Sequence, residues 1–228
     1  MLPIIVGVVV LVAIGAGSGA AVYKRRQKRQ EATPPPKPLG KFAVWGRPNA
    51  GKTTFISRFV DPKAQPGAKE QTTSRRTYTT IPPFTVDTNS YQINEITDMP
   101  GTRDRLKDWL ALVASHEHIF YILNFARRND AEYRAGVRAD LQDTTAALAD
   151  SSKSVKRLHI IASHVDQSHL ADEPEAEVHN KLQADPEIQR FCSEITGVDW
   201  YVYAVNLTDG ASFKRLRDSI VRDLDFRP

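Results

Sequence analysis

The sequence predicts an α/β fold in three layers, built around a mainly parallel six-stranded sheet and preceded by one transmembrane helix. Three observations carry this. Short apolar runs alternate with helically spaced segments from about residue 41 onward, the glycine-rich stretch 46–53 lies between the first such run and the first such segment, and Leu2 to Tyr23 contains no charge.

That uncharged stretch is 22 residues of mainly Val, Ile, Leu, Ala and Gly. As a helix it would span about 33 Å, the thickness of a bilayer's hydrocarbon core. A cleaved signal peptide carries its positive charge before the apolar stretch, whereas Lys24, Arg25, Arg26, Lys28 and Arg29 all follow it, so anchoring is favoured over cleavage. The same basic flank places everything after it in the cytoplasm, making the chain a single-pass membrane protein with a cytoplasmic domain. It could also attract anionic headgroups, although a topology signal is role enough. Pro34-Pro35-Pro36-Lys37-Pro38 reads as a semi-rigid spacer. The organisation is therefore a transmembrane helix at 1–23, a basic and proline-rich linker at 24–38 and one domain at 39–228.

The net charge of +4 is largely the flank's doing: without its five basic residues, 26 Lys and Arg face 27 Asp and Glu. Nucleic acid is thus not an indicated partner. The single Cys192 excludes an intrachain disulfide. His116 and His118 have no third His or Cys nearby in sequence, so packing or helix-end roles are expected and no zinc site is read.

Lys41 to Trp45 is a buried-strand run, and Thr53 to Val60 has its apolar residues at helical spacing. Between them, Gly46-Arg47-Pro48-Asn49-Ala50-Gly51-Lys52-Thr53 fits the phosphate-binding pattern G-x-x-x-x-G-K-[ST] without mismatch. Its mechanism explains the residues. The glycines let the backbone curl so that N–H groups from Asn49, Ala50, Gly51 and Thr54 surround an anion at a helix N-terminus, with Pro48 in the same loop. Pro48 supplies only curvature, having no N–H. Lys52 would reach the β- and γ-phosphates, and the Thr53 hydroxyl would ligate Mg²⁺.

Residues 61–76 read as a loop. Thr77–Val86 and Tyr91–Thr97 are strand-like and predict an antiparallel hairpin across Asp87-Thr88-Asn89-Ser90, with Pro82-Pro83 at an edge or bulge. The second strand ends in Asp98-Met99-Pro100-Gly101, a D-x-x-G arrangement in which Asp98 would hold Mg²⁺ and the Gly101 N–H would approach a γ-phosphate. A helix from Arg103 to Ala114, a strand from His118 to Phe125 and a helix from Ala131 to Ala149 follow. The strand Leu158–Ala162, at least one polar helix in Glu173–Cys192, the strand Trp200–Val205 and an amphipathic helix Ala211–Leu224 complete the alternation. Ligands should then bind beyond the strands' carboxyl ends, where the motifs fall.

At the end of the strand Leu158–Ala162 stands Ser163-His164-Val165-Asp166. An Asp166 carboxylate there can accept from both N1–H and the 2-amino group of guanine, a donor pair that adenine lacks. Ser163 is expected to lose the amide that would bridge the base and neighbouring loops, and His164 to cover the ring by stacking. Val205 and Asn206, at the end of the last strand, are where a backbone N–H would meet the guanine oxygen.

These motifs, in this order over roughly residues 39–226, resemble the translation-factor-related GTPases of the Era, MnmE and Der branch. Gly46–Thr53 is similar to that branch's G-R-P-N-x-G-K-[ST], Gln71-Thr72-Thr73 to its switch segment and Asp98–Gly101 to its D-x-P-G. The resemblance implies a P-loop GTPase domain, with Thr73 as second protein ligand of Mg²⁺ and part of the catalytic set beside Lys52, and Thr72 as fallback. It also implies K⁺ held through Asn49, in the place of an arginine finger. The Ser-His-x-Asp variant is similar to septin-related AIG1 and Toc GTPases, and the anchor before a lone domain to the signal recognition particle receptor β subunit.

The expected reaction is attack of water on GTP to give GDP and phosphate. Thr102 stands where Ras-like enzymes carry a water-positioning glutamine, so turnover is expected to be slow. Asn49 with K⁺, Arg103, Asp104, Arg75, Arg76 or a partner's residue are the candidates for assistance. Two readings stay open: a membrane-anchored switch that cycles between GTP and GDP and signals to a protein effector, and a nucleotide-loaded docking subunit with little hydrolysis. A third, an ATP-using P-loop enzyme, lacks any lid or acceptor motif.

Overall fold

The computed structural model describes residues 34–61, 74–150 and 157–225. The expected membrane helix, the basic cluster, Thr72 and Thr73 lie outside them. Among the described residues no helix is long and apolar enough to cross a membrane. Lys37–Pro228 forms one compact unit.

The strands are β1 (Lys37–Pro38), β2 (Lys41–Trp45), β3 (Arg76–Tyr78), β4 (Phe84–Val86), β5 (Asn89–Gln92), β6 (Glu95–Asp98), β7 (His118–Asn124), β8 (Arg157–Ser163) and β9 (Asp199–Ala204). The α-helices are α1 (Lys52–Val60), α2 (Leu106–Ser115), α3 (Ala131–Ala149), α4 (Glu175–Ala184), α5 (Pro186–Ser193) and α6 (Gly210–Asp225). The main sheet runs β3-β6-β2-β7-β8-β9, five strands parallel and β3 antiparallel at one edge. After β2 the chain goes first to one side of that strand and then to the other. The carboxyl end of β2 is therefore a topological switch point, the place where open α/β sheets bind ligands.

Side-chain alternation divides the core. On β2, Ala43 and Trp45 join the apolar cluster that includes Trp109 of α2 and Val137 of α3, whereas Phe42 and Val44 join Phe55 of α1 and Phe213 of α6. A sheet covered on both faces explains why β7 and β8 read as unbroken apolar runs. Helix ends follow local chemistry. The Asp130 side chain accepts from Tyr133 N at the start of α3, Asp185 caps α5 ahead of Pro186, and Asp209 accepts from Ala211 N and Ser212 N at α6.

Two expectations are corrected. The Thr77–Val86 and Tyr91–Thr97 runs are each split, so the long hairpin becomes β4–β5 around Asp87-Thr88, in a separate three-stranded sheet of order β1-β5-β4. β3 leaves that hairpin and pairs with β6, placing Arg76 opposite Asp98. Pro82-Pro83 is the physical reason, because two adjacent residues without N–H groups interrupt a ladder and let the chain change sheets. The predicted helix from Arg103 likewise opens as a 3₁₀ turn, Arg103–Arg105, before α2.

His116 ends α2, and His118 and His159 are buried on the strands. His159 lies stacked 4.7 Å from Phe120, and its Nδ1 is 3.3 Å from the Tyr203 hydroxyl, which itself donates to Asp223 at 2.6 Å. Burial, aided by neighbouring His118 and Arg157, holds the imidazole well below its usual pKa of 6.5. The unfolded chain therefore binds a proton near that pH that the folded chain refuses. Stability from this group is complete above it and falls as pH drops, by about 1.4 kcal/mol per pH unit for each extra proton taken up. Urea midpoints should thus fall between pH 7 and about pH 5, and less steeply for His159→Phe; parallel slopes would rule out His159 as the origin.

Candidate functional site

The loop after β2 is shaped by contacts that leave no room for a side chain. A Cβ at Gly46, whose φ is 141°, would lie 1.9 Å from the Ile122 carbonyl oxygen of β7. Only glycine fits. Gly51 has φ 90° and faces Leu207, and Asn49 takes the left-handed conformation at φ 61°, with its side chain exposed. Lys52 Nζ donates to the Gly46 and Arg47 carbonyl oxygens at 2.9 and 3.1 Å. Desolvation lowers its pKa from 10.5 to about 8, against the attraction of Asp98 and Asp140.

The D-x-x-G segment meets this loop. Val44 and Asp98 are register partners of adjacent parallel strands, so Lys52 and Thr53 at the start of α1 and Asp98 at the end of β6 converge at one end of the sheet. Asp98 is fully buried. A Cβ on Gly101 would lie 2.6 Å from both the Gly46 oxygen and Lys52 Nζ and 2.7 Å from Pro48 N, so the two glycine loops touch through their backbones. Trp45 secures the contact, its indole N–H donating to the Pro100 carbonyl at 3.0 Å. A hydroxyl from Thr53 and a buried carboxylate from Asp98 are the hard oxygen donors that suit Mg²⁺. Among the described residues no group of three or more His, Cys, Asp and Glu forms a metal cluster, so an ion here would complete its shell from phosphate oxygens and water.

The opposite end of the loop is braced by Ser163, and this corrects an expectation. The fully buried Ser163 hydroxyl lies 2.7 Å from the Ala50 carbonyl oxygen and 2.9 Å from that of Leu123, so it links β7 and β8 to the phosphate loop without an amide. His164 Nδ1 lies 2.8 Å from the same oxygen, and φ 57° turns its ring toward Gly51. Asp166 is exposed and, with Val165, Ala204 and Asn206, lines the end of a cleft of about 620 Å³ between α4 and α6, to which the phosphate loop contributes nothing. Asn206 reaches this rim and Val205 is buried behind it; the Val205 N–H donates to Ala162 O and the Asn206 N–H to Ser212 Oγ. Neither is available to a guanine oxygen in this arrangement.

Sequence reasoning missed three supports. Arg58 of α1 donates to the carbonyls of Leu207 and Thr208 at 3.3 and 2.8 Å, and Leu207 packs on Gly51. Arg103, a candidate for assisting catalysis, instead donates to Asp140 and Asp143 of α3 at 2.7 and 2.6 Å. Asp140 is buried, accepts from Tyr121 at 2.9 Å and lies 3.8 Å from Arg47. A faint signal existed, since Gly136 interrupts an otherwise good helix and its missing side chain admits the Arg47 guanidinium.

With this geometry in view, a sequence profile of the family described as 50S ribosome-binding GTPase matches residues 41–190. The chain belongs to that GTPase family. Among solved structures it is similar to the Arl6 BBS3 small GTPase from Trypanosoma brucei with bound nucleotide analogue GppNp, at 13% identity and TM-score 0.54, over 82% of this chain and 98% of that one. It is equally similar to a signal recognition particle receptor SRβ-GTP/SRX complex chain from Chaetomium thermophilum, at 15% identity and TM-score 0.54, over 80% and 97%. Identities this low speak for the fold alone. No curated protein sequence matches the chain.

Ser163→Ala leaves two buried carbonyls short of their shared donor. The expected cost is about 1–3 kcal/mol in urea denaturation; an unchanged midpoint would mean the hydroxyl braces nothing.

Proposed function

We propose that this GTPase is a membrane-anchored switch that binds GTP and hydrolyses it slowly to GDP. The observation that carries the reading is the convergence of Lys52, Thr53, Asp98 and Gly101 at the sheet's switch point, with Asp166 just past the same end of β8. The loop amides and Lys52 bind and orient the triphosphate, Thr53 and Asp98 would hold Mg²⁺, and Thr73 would be its second threonine ligand, as the resemblance implies. Mg²⁺ would neutralise charge on the phosphates. The lysine and the Gly101 N–H stabilise charge that develops on the transferred group, and water is the nucleophile. Asp166 reads N1–H and the 2-amino group of guanine, while His164 covers the ring. Asn49, exposed at the loop's tip, is the proposed K⁺ ligand. An effector or activating partner would read the segments around Thr73 and Gly101.

A second reading is favoured by Thr102, which is exposed and too short to position water, and by the attachment of Arg103 to α3. In it the chain is a nucleotide-loaded docking subunit with little hydrolysis. Phosphate release from GTP by the purified chain, in K⁺ and in Na⁺, separates the two: binding without release supports docking.

Asp166→Ala should weaken GTP binding by about 100-fold or more and leave ATP binding unchanged, because the lost acceptor faces donors unique to guanine. Lys52→Ala should weaken both. Labelled-nucleotide titration checks this, and equal GTP affinity in Asp166→Ala and the parent would remove the guanine assignment. The anchor at residues 2–23 is tested apart from nucleotide: the chain should sediment with membranes after alkaline washing and lose that behaviour when the stretch is deleted.

A further inference from the structure

We propose that Asp140 is a positioning residue that ties the D-x-x-G loop to the phosphate loop, by holding Arg103 and Arg47 on one face of α3. Gly136, Asp140 and Asp143 stand at positions i, i+4 and i+7 of that helix and form a single stripe. Arg103, two residues after Gly101, sets its guanidinium astride the stripe, one nitrogen on Asp140 and another on Asp143. Arg47, immediately after Gly46, lies in the space left by Gly136 and faces the other Asp140 oxygen. One buried carboxylate therefore receives both loops.

The chemistry makes this a device of position. Asp140 is 1% exposed, and a carboxylate so placed requires all its partners, so the two arginines and the Tyr121 hydroxyl are mutually dependent. Neither aspartate is near enough in sequence to be a local choice for Arg103, the nearer being 37 residues away. The geometry also assigns Arg103 a structural task in place of a catalytic one. While forked across Asp140 and Asp143, it fixes the path of Pro100–Arg103 and with it the close approach of Gly101 to Gly46 and Lys52.

The inference rests on the proposed GTP reading only in its second consequence, so the two are tested separately. In hydrogen exchange on the whole chain, Asp140→Asn should raise exchange across residues 99–105 by about tenfold or more while Leu158–Ser163 stays within about twofold. Exchange unchanged at 99–105 overturns the proposal, whether or not any nucleotide binds. In titration, Asp140→Asn and Arg103→Ala should each weaken a non-hydrolysable GTP analogue by about tenfold and GDP by less than about twofold, since only the former carries the γ-phosphate that Gly101 faces. The double variant should be no weaker than either single one. Equal losses for the two nucleotides, or additive effects, assign Asp140 to general stability and overturn the proposal. A parent chain that binds neither nucleotide refutes the GTP reading, and exchange alone then decides for or against Asp140.

Discussion

The contact of main chain with main chain at the end of β2 is the constraint from which the rest follows. Gly46 lies so close to the Ile122 carbonyl, and Gly101 so close to Gly46 and Pro48, that a single methyl group at either position collides with backbone. A surface made this way presents dipoles at fixed positions and has no side-chain entropy to lose when an anion arrives. Lys52 is buried against it, and desolvation is what makes its ammonium costly enough to need the Gly46 and Arg47 carbonyls and the attraction of Asp98 and Asp140.

Legibility followed distance along the chain. β2, α1 and α3 were readable because strand alternation, helical spacing and caps such as Asp130 act within a few residues. The phosphate loop was readable for the same reason: its function is a local backbone shape. What could not be read depended on distant partners. Whether Thr77 pairs with a hairpin mate or with β6 is decided by which edge is open after Pro82-Pro83 interrupts the ladder. Nothing near Asp140 in sequence marks it, because Tyr121, Arg103 and Arg47, which surround it, are all distant along the chain.

The two ends of the loop are braced by different means. On the phosphate side the braces are charged and act through α3, where Arg47 and Arg103 meet Asp140. On the other side they are neutral or terminate on carbonyls: Ser163 on Ala50, Arg58 on Leu207 and Thr208, and the Leu207 side chain on Gly51. Both kinds are costly to break: a buried carboxylate that loses an arginine keeps an uncompensated charge, and a buried hydroxyl has nowhere else to donate. The fold thus holds the loop by charge beside Gly101 and by a neutral hydroxyl beside β8.

That division bears on how Ser163 serves without the amide that would bridge base and neighbouring loops. An asparagine has both a carbonyl and an amide and could brace loops while also touching a base. A serine has one proton to give, and here Ala50 and Leu123 compete for it at 2.7 and 2.9 Å. Bracing is retained, and nothing is left over for a base. With the N–H groups of Val205 and Asn206 also engaged, discrimination in the proposed reading falls on the Asp166 carboxylate and on the ring of His164, whose left-handed backbone conformation points it back toward Gly51. Fewer contacts to the base beside the phosphate cradle means that the affinity shared by all nucleotides is carried by the phosphates and the added affinity for guanine by one carboxylate, so the cradle and the base site contribute separately.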